Sequence, residues 1–258
     1  MRQGILLAVA RRVTSSTLIG RREELAAIEA AIVSAKAGEA RIVLMGGDAG
    51  IGKTRLITEA CAHAERDGVL CAVGGCVQLG EASLPYAPLI GALRAVRRRV
   101  GDDEFAELLG PAAATVGTLL GIGDGGDVER GRLFEHLLVL LARVGARQPT
   151  LIVFEDMHWA DASTRDLVAF LARNVRDAPV AVVLTYRADE LHRGHPWWPV
   201  LADLHRDPNV ERIELSGLSR SELAALLTEI SDKPQPVDEL LARTGGNPFY
   251  VEELVCRG

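Results

Sequence analysis

Arg41-Ile42-Val43-Leu44-Met45-Gly46-Gly47-Asp48-Ala49-Gly50-Ile51-Gly52-Lys53-Thr54-Arg55-Leu56 reads as a buried strand, a glycine-rich turn and the start of a helix. Gly47, Gly52, Lys53 and Thr54 stand at the spacing of a phosphate-binding P-loop, in the strand–turn–helix context that the motif requires. The glycines let successive backbone N–H groups point into one concavity with no Cβ in the way of a phosphate. The helix opening near Lys53 adds unsatisfied N–H groups and the positive end of its dipole. Gly47, Asp48, Ala49, Gly50, Ile51, Gly52, Lys53, Thr54 and Arg55 are therefore the candidate phosphate cradle. Lys53 is placed to reach the β- and γ-phosphates, and the Thr54 hydroxyl to join a Mg²⁺ shell.

The rest of the chain bounds this reading. At 258 residues it can bury a large core, as one domain or as one domain plus a small one. Hydrophobic residues make up 48% and aromatics only 4%, so Ala, Leu, Val and Gly do the packing, which suits parallel strands covered by helices. A net charge of −6 gives no global attraction for nucleic acid, and Arg97-Arg98-Arg99 reads as a solvated helix face. Cys61, Cys71, Cys76 and Cys256 form no zinc spacing and are expected as free thiols. The apolar run Gly4–Ala10 is short and meets Arg11-Arg12, so it is not read as an export signal, and no stretch is long enough to span a membrane. The expectation is a cytoplasmic protein with no membrane partner.

Residues 1–17 read as a leader or arm. A helix is expected over Glu23–Ala37, a first strand over Arg41–Met45, the P-loop helix over Lys53–Arg66 and a second strand over Val69–Val73. Helices follow with Leu89, Leu93 and Val96 on one face, over Asp103–Leu109, from Pro111 to Leu120, and over Val128–Val144, with a glycine-rich loop at Gly121–Gly126. Strands at Thr150–Phe154, Val180–Tyr186 and Val210–Leu215 alternate with helices at Asp161–Val175 and Pro196–His205. Buried strands alternating with helices argue for an α/β fold with a parallel sheet covered on both faces. From Leu218 onward the pattern is helical only, opening on the capping box Ser219-Arg220-Ser221-Glu222. The division expected is 18–216 for the P-loop domain and 217–258 for a small all-helical lid, read as the start of a longer C-terminal region.

Leu151-Ile152-Val153-Phe154-Glu155-Asp156 supplies what a P-loop alone lacks. A buried parallel strand that ends in acids delivers them to the carboxyl edge of the sheet, where open α/β folds bind ligands. One acid can hold Mg²⁺ through its water shell and its neighbour can orient or deprotonate an attacking water; the residues alone do not say which does which. Val182-Val183-Leu184-Thr185-Tyr186-Arg187 brings an arginine to the same edge. Arg187 either reads the γ-phosphate or pairs with Asp189 or Glu190. His158 reads as structural, and Asp161 as a helix cap.

Taken together, Leu18-Ile19-Gly20-Arg21 with Glu24-Leu25, the P-loop, Leu84-Pro85-Tyr86, Phe154-Glu155-Asp156-Met157-His158-Trp159-Ala160-Asp161, Thr185-Tyr186-Arg187 and Gly245-Gly246-Asn247-Pro248-Phe249 resemble, in order, the AAA-related STAND ATPases. The likeness is to those of large LuxR-type bacterial transcriptional regulators and adenylate-cyclase-associated regulators, over about residues 18–257. The resemblance implies that Gly20 and Arg21 cradle the base, that Lys53 and Thr54 bind phosphate and Mg²⁺, and that Glu155 and Asp156 are the paired acids. It further implies that Arg187 senses phosphate and that Pro248 packs on the adenine. Glu155 stands where many relatives carry Asp, and Arg22 where an acid is commoner. The expected function is a Mg²⁺-ATP-binding, slowly hydrolysing regulatory switch that self-associates on ATP binding and does not itself bind DNA. The competing readings are a pseudo-ATPase or nucleotide-stabilised interaction module and, third, a P-loop kinase.

Overall fold

A computed structural model describes residue 15 and residues 17–79, 82–121 and 129–257. Most of the expected leader, most of the loop Gly121–Gly126 and the expected helix start at Val128 lie outside the described residues. Two compact units are resolved. One comprises Arg22–Ala49 and Lys53–Leu215; the other gathers the residues up to Arg21, Gly50–Gly52 and Ser216 onward.

The larger unit is built on five parallel strands. In chain order they are β1 (Arg41–Gly47), β2 (Leu70–Gly75), β5 (Thr150–Glu155), β6 (Val180–Thr185) and β7 (Val210–Leu215). Their order across the sheet is β2-β5-β6-β1-β7. Val43 lies opposite Val183, and Val153 opposite Val183 on the other side. Strands β1, β5 and β6 are buried along almost their whole length, which is why they read as unbroken apolar runs. Side chains alternate between faces. Ile42, Leu44, Ile152, Phe154, Val182 and Leu184 face a core built with α3 (Ala87–Val100), α4 (Asp102–Leu109), α5 (Ala113–Leu120), α6 (Arg130–Arg147), α7 (Ala162–Asn174) and α8 (Trp198–Leu204). Val43, Met45, Leu151 and Val153 point the other way, to the face packed by α1 (Arg22–Lys36) and α2 (Lys53–Arg66), whose Ile28, Ile32, Leu56 and Ala60 are buried. Both faces of the sheet are thus covered, as the apolar runs require.

Most helix ends follow local chemistry. Asp161 caps α7, its carboxylate accepting the Ser163 and Thr164 N–H groups. Gly68, with φ 74°, ends α2, and Gly121, with φ 73°, ends α5. Three features escape sequence periodicity. The strands β3 (Gln78–Leu79) and β4 (Ala82–Ser83) pair as an antiparallel hairpin, each too short to show alternation. The helix expected from Pro111 is a 3-10 turn over Gly110–Ala112 followed by α5. Another 3-10 turn, Met157–Trp159, follows β5.

The helical unit holds α9 (Arg220–Ile230), α10 (Val237–Thr244) and α11 (Pro248–Arg257). The capping box forms: Ser219 accepts from the Glu222 N–H and the Glu222 carboxylate accepts from the Ser219 N–H. Its small core is Leu218, Leu223, Leu226, Leu227, Ile230, Leu240 and Val251.

Candidate nucleotide site

The turn after β1 takes its shape from glycine. Gly50 has φ 75° and Gly52 φ 106°, a region that L side chains enter only with strain. The chain then turns into α2 with Lys53 as its first residue. Lys53 folds back under its own loop and donates from Nζ to the carbonyls of Gly47 at 2.5 Å and Asp48 at 2.8 Å. It is only 8% exposed. Among the described residues no carboxylate lies within ion-pair distance of its ammonium group. Burial pushes the Lys53 pKa down; the nearby Asp156, Asp189 and Asp48 charges oppose that, and Arg187 reinforces it.

The paired acids reach the same place. The Thr54 hydroxyl, in the first turn of α2, donates to Glu155 Oε1 at 2.8 Å. This bond ties the P-loop helix to the end of β5. Burial raises the Glu155 pKa, the Thr54 hydrogen bond works against the rise, and the charge of Asp156 adds to it. Asp156 sits in the left-handed region with φ 58° and ψ 44°. For most non-glycine residues that conformation costs roughly 1–2 kcal/mol, and Asp is among those that enter it more readily. It is held by the Asp156 N–H, which donates to Thr185 Oγ1 at 3.1 Å, at the end of β6. The strained backbone turns the second acid away from the direction that a continuing strand would give it.

Arg187 follows β6 by two residues. Its Nη1 donates to Glu190 Oε1 at 2.6 Å, and its guanidinium lies over the Trp159 ring at 5.0 Å. Of the pairings left open by the sequence, the one with Glu190 is formed. The Arg187 N–H donates to His158 Nδ1 at 3.3 Å, so the His158 proton belongs on Nε2. Thr185, His158, Trp159 and Glu190 are thus the supports of this site. Glu190 is one of the partners that the sequence offers Arg187 and His158 reads there as structural, whereas Thr185 and Trp159 are signalled only by standing inside the motifs quoted above.

His158 is buried, and burial lowers its pKa to about 4, with Asp156 and Glu190 opposing. Its protonated form is therefore disfavoured by folding. Between about pH 6.5 and about pH 4 the unfolded chain takes up a proton that folded His158 refuses, so stability falls as the pH drops through that window. The expected loss from His158 alone is about 2 kcal/mol between about pH 7 and about pH 5. Urea unfolding at both pH values checks it, and His158→Gln should remove that part of the pH dependence.

The remaining expected residues lie in the helical unit. Gly20 and Arg21 both have positive φ, at 68° and 66°. Arg21 is buried and donates from Nη2 to Ser216 O at 2.5 Å and to Ile51 O at 3.3 Å. Pro248 opens α11, and Asn247 Oδ1 accepts the Phe249 N–H at 3.1 Å as a cap. Gly50 packs against this turn: a Cβ there would stand 2.6 Å from the Phe249 Cβ. Gly47, Asp48, Ala49, Lys53, Thr54, Arg55, Glu155, Asp156 and Arg187 belong to the sheet unit, and Gly20, Arg21, Gly50, Ile51, Gly52 and Pro248 to the helical unit.

The donor chemistry fits a nucleoside triphosphate with a divalent cation. A desolvated lysine whose hydrogen-bond partners are backbone carbonyls suits a polyanion. A threonine hydroxyl joined to a carboxylate is an oxygen pair suited to a hard cation such as Mg²⁺. A family model for the AAA ATPase domain matches residues 17–184. The chain belongs to that family. As an AAA ATPase domain it carries the P-loop of a nucleotide-binding family. It is 30% identical, over 92% of its length, to an uncharacterised protein of Rhizobium meliloti (strain 1021), of which it spans 24%. Among the solved structures that share its fold are two with TM-scores above 0.5. One is a Pyrococcus horikoshii STAND protein, a Signal Transduction ATPase with Numerous Domains carrying a tetratricopeptide repeat sensor. It matches at TM-score 0.52 and 18% identity, over 93% of this chain and 30% of that one. The other is the Aeropyrum pernix ORC1 protein in complex with DNA, at TM-score 0.51 and 18% identity, over 97% of this chain and 61% of that one. Among the described residues, no helix is long and apolar enough to cross a membrane.

Proposed function

We propose that this AAA ATPase domain is a Mg²⁺-dependent, ATP-binding switch that hydrolyses ATP slowly. The observation that carries the proposal is the Thr54–Glu155 hydrogen bond, which sets a hydroxyl and a carboxylate side by side at the start of α2 and the end of β5. In this reading Lys53 pairs with the phosphates, and Thr54 and Glu155 hold the cation. Asp156, turned aside by its left-handed backbone, orients the attacking water and takes its proton. A bound Mg²⁺ supplies neutralisation of phosphate charge. Arg187 reads the γ-phosphate by exchanging Glu190 for it. Half-exposed ion pairs are worth about 0.2–1 kcal/mol, so that exchange is easily made.

The switch part of the proposal rests on the helical unit. Gly50–Gly52 are P-loop residues and also members of that unit, beside Arg21 and the Gly-Asn-Pro-Phe turn. In this reading Gly20, Arg21 and Pro248 cradle the adenine, and the binding energy of the nucleotide orders the helices. Such a ligand shifts a conformational equilibrium only by its difference in affinity for the two states. The setting proposed is a cytoplasmic, signal-responsive transcriptional regulator of the LuxR type, in which this domain self-associates on ATP binding and leaves DNA to other parts.

The test uses the purified chain. Steady phosphate release from ATP that requires Mg²⁺ is expected, together with slower hydrogen exchange in residues 218–257 when ATP and Mg²⁺ are present. Equal exchange in the apo, ADP and ATP states overturns the switch. ATP binding without phosphate release leaves a nucleotide-stabilised interaction module.

A further inference from the structure

A second polar cleft lies in the sheet unit, beside the supports of Arg187 and apart from the P-loop. It has a volume of about 550 Å³ and is lined in part by Gln78, Ser83, His158, Trp159, Arg165 and His195. Asp161 and Glu190 also reach it. What distinguishes the lining is which hydrogen-bonding groups are already used.

The acids are used. The Asp161 carboxylate accepts from the Ser163 and Thr164 N–H groups and from the Thr164 hydroxyl. Glu190 is paired with Arg187. The donors are not. Arg165 gives one N–H to the Ala160 carbonyl at 2.6 Å, and among the described residues no carboxylate stands within ion-pair distance of it. His195 Nδ1 accepts the Trp197 N–H at 3.1 Å, which places the ring proton on Nε2. His158, with a side chain wholly out of solvent, has its proton on Nε2 as well, and that atom has no hydrogen-bond partner. The nearest acid, Glu190 Oε2, is 3.7 Å away, beyond hydrogen-bond reach. A buried donor with no partner is expensive, and native proteins leave few of them.

We infer that this cleft is a binding site for a small oxyanion, phosphate or carboxylate, held by the Arg165 guanidinium and the Nε2–H of His195, with the unpartnered Nε2–H of the buried His158 adding its dipole from behind the cleft wall. Arg165, His195 and His158 all present N–H donors and one of them carries a full positive charge, which is the complement of an anionic oxygen acceptor. Burial, and then the charges of His192 and Arg165, depress the His195 pKa, while Glu190 opposes them. An oxyanion beside His195 offsets the two cations, so its binding is coupled to a rise in that pKa.

The test is an NMR titration of the histidine ring signals of the full chain, with inorganic phosphate in one arm and succinate in the other, at constant ionic strength. The expected result is a saturable shift of His195, with its pKa raised, at millimolar anion. Arg165→Gln should weaken the response by about tenfold or more, and His195→Gln should remove the signal while leaving the shift of His158. Lys53→Ala should leave the response intact, which separates this cleft from the P-loop and from the function proposed above. Response to phosphate alone, or to succinate alone, identifies which oxyanion the cleft takes. No saturable shift with either anion, or a shift lost in Lys53→Ala and retained in Arg165→Gln, overturns the inference.

Discussion

Asparagine in place of Asp156 is expected to slow phosphate release by about 10²- to 10⁴-fold, the range of a lost general base, while ATP still binds. The geometry makes this a clean substitution. Asp156 holds a left-handed backbone, and Asn is one of the few non-glycine residues that enter that region readily. The Asp156 N–H bond to Thr185 is a backbone bond, so the variant keeps it. What disappears is the ability to accept a proton. Glu155→Gln is the informative contrast. Its Oε1 still accepts from Thr54, yet the negative charge beside the hydroxyl is gone, so the defect should appear as a raised Mg²⁺ requirement. Phosphate release over a range of Mg²⁺, together with a direct measurement of ATP binding, separates the two. Turnover unchanged in Asp156→Asn would remove Asp156 from the chemistry.

Lys53→Ala is expected to weaken ATP binding by roughly 1.5–3 kcal/mol, or about ten- to a hundredfold, the contribution of a charge-assisted hydrogen bond. The sign of its effect on folding is the opposite of what a deleted contact suggests. Burial lowers the Lys53 pKa, so below that value the folded state carries a protonated group that it disfavours. Without ligand the lysine therefore works against stability at neutral pH, and that penalty fades only as the pH rises through its lowered value toward that of a free lysine. Removing it takes away the penalty along with two bonds to carbonyls. The variant should stay folded in urea with a midpoint near that of the parent, and calorimetry should show the loss of ATP affinity. An unaltered affinity in a folded Lys53→Ala chain would sink the nucleotide assignment.

The parts of the fold that sequence reading found are those in which one residue type does one physical job. The β1–turn–α2 passage was legible because glycine spacing and a following lysine have few other uses. The β5 run was legible because a strand buried on both faces must be apolar at every position, so its terminal acids stood out. Helix boundaries such as Ser219–Glu222 followed from capping chemistry. What was hidden depended on contacts distant in sequence. Nothing near Asp156 announces its left-handed turn, since Thr185, its anchor, lies on another strand. Arg187 is followed by acids at both Asp189 and Glu190, and only the folded chain chooses the second. The β3–β4 hairpin has two residues a side, too few for a period to show. The membership of Gly50–Gly52 in the helical unit is likewise a tertiary fact, although both groups of residues are plain in the sequence.

That last feature decides where the chain can be cut. The end of β7 at Leu215 looks like a natural place to stop, because the sheet is finished there. Truncation at that point would discard Ser216, whose carbonyl accepts from Arg21, and with it Asn247 and Phe249, which pack against Gly50. The apex of the phosphate loop would lose its neighbours while the strand and helix on either side of it remained. A shortened protein that failed to bind ATP would then report a collapsed loop, and its failure would say nothing about the chemistry of Lys53 or Asp156. The smallest piece in which those residues can be judged runs through α11.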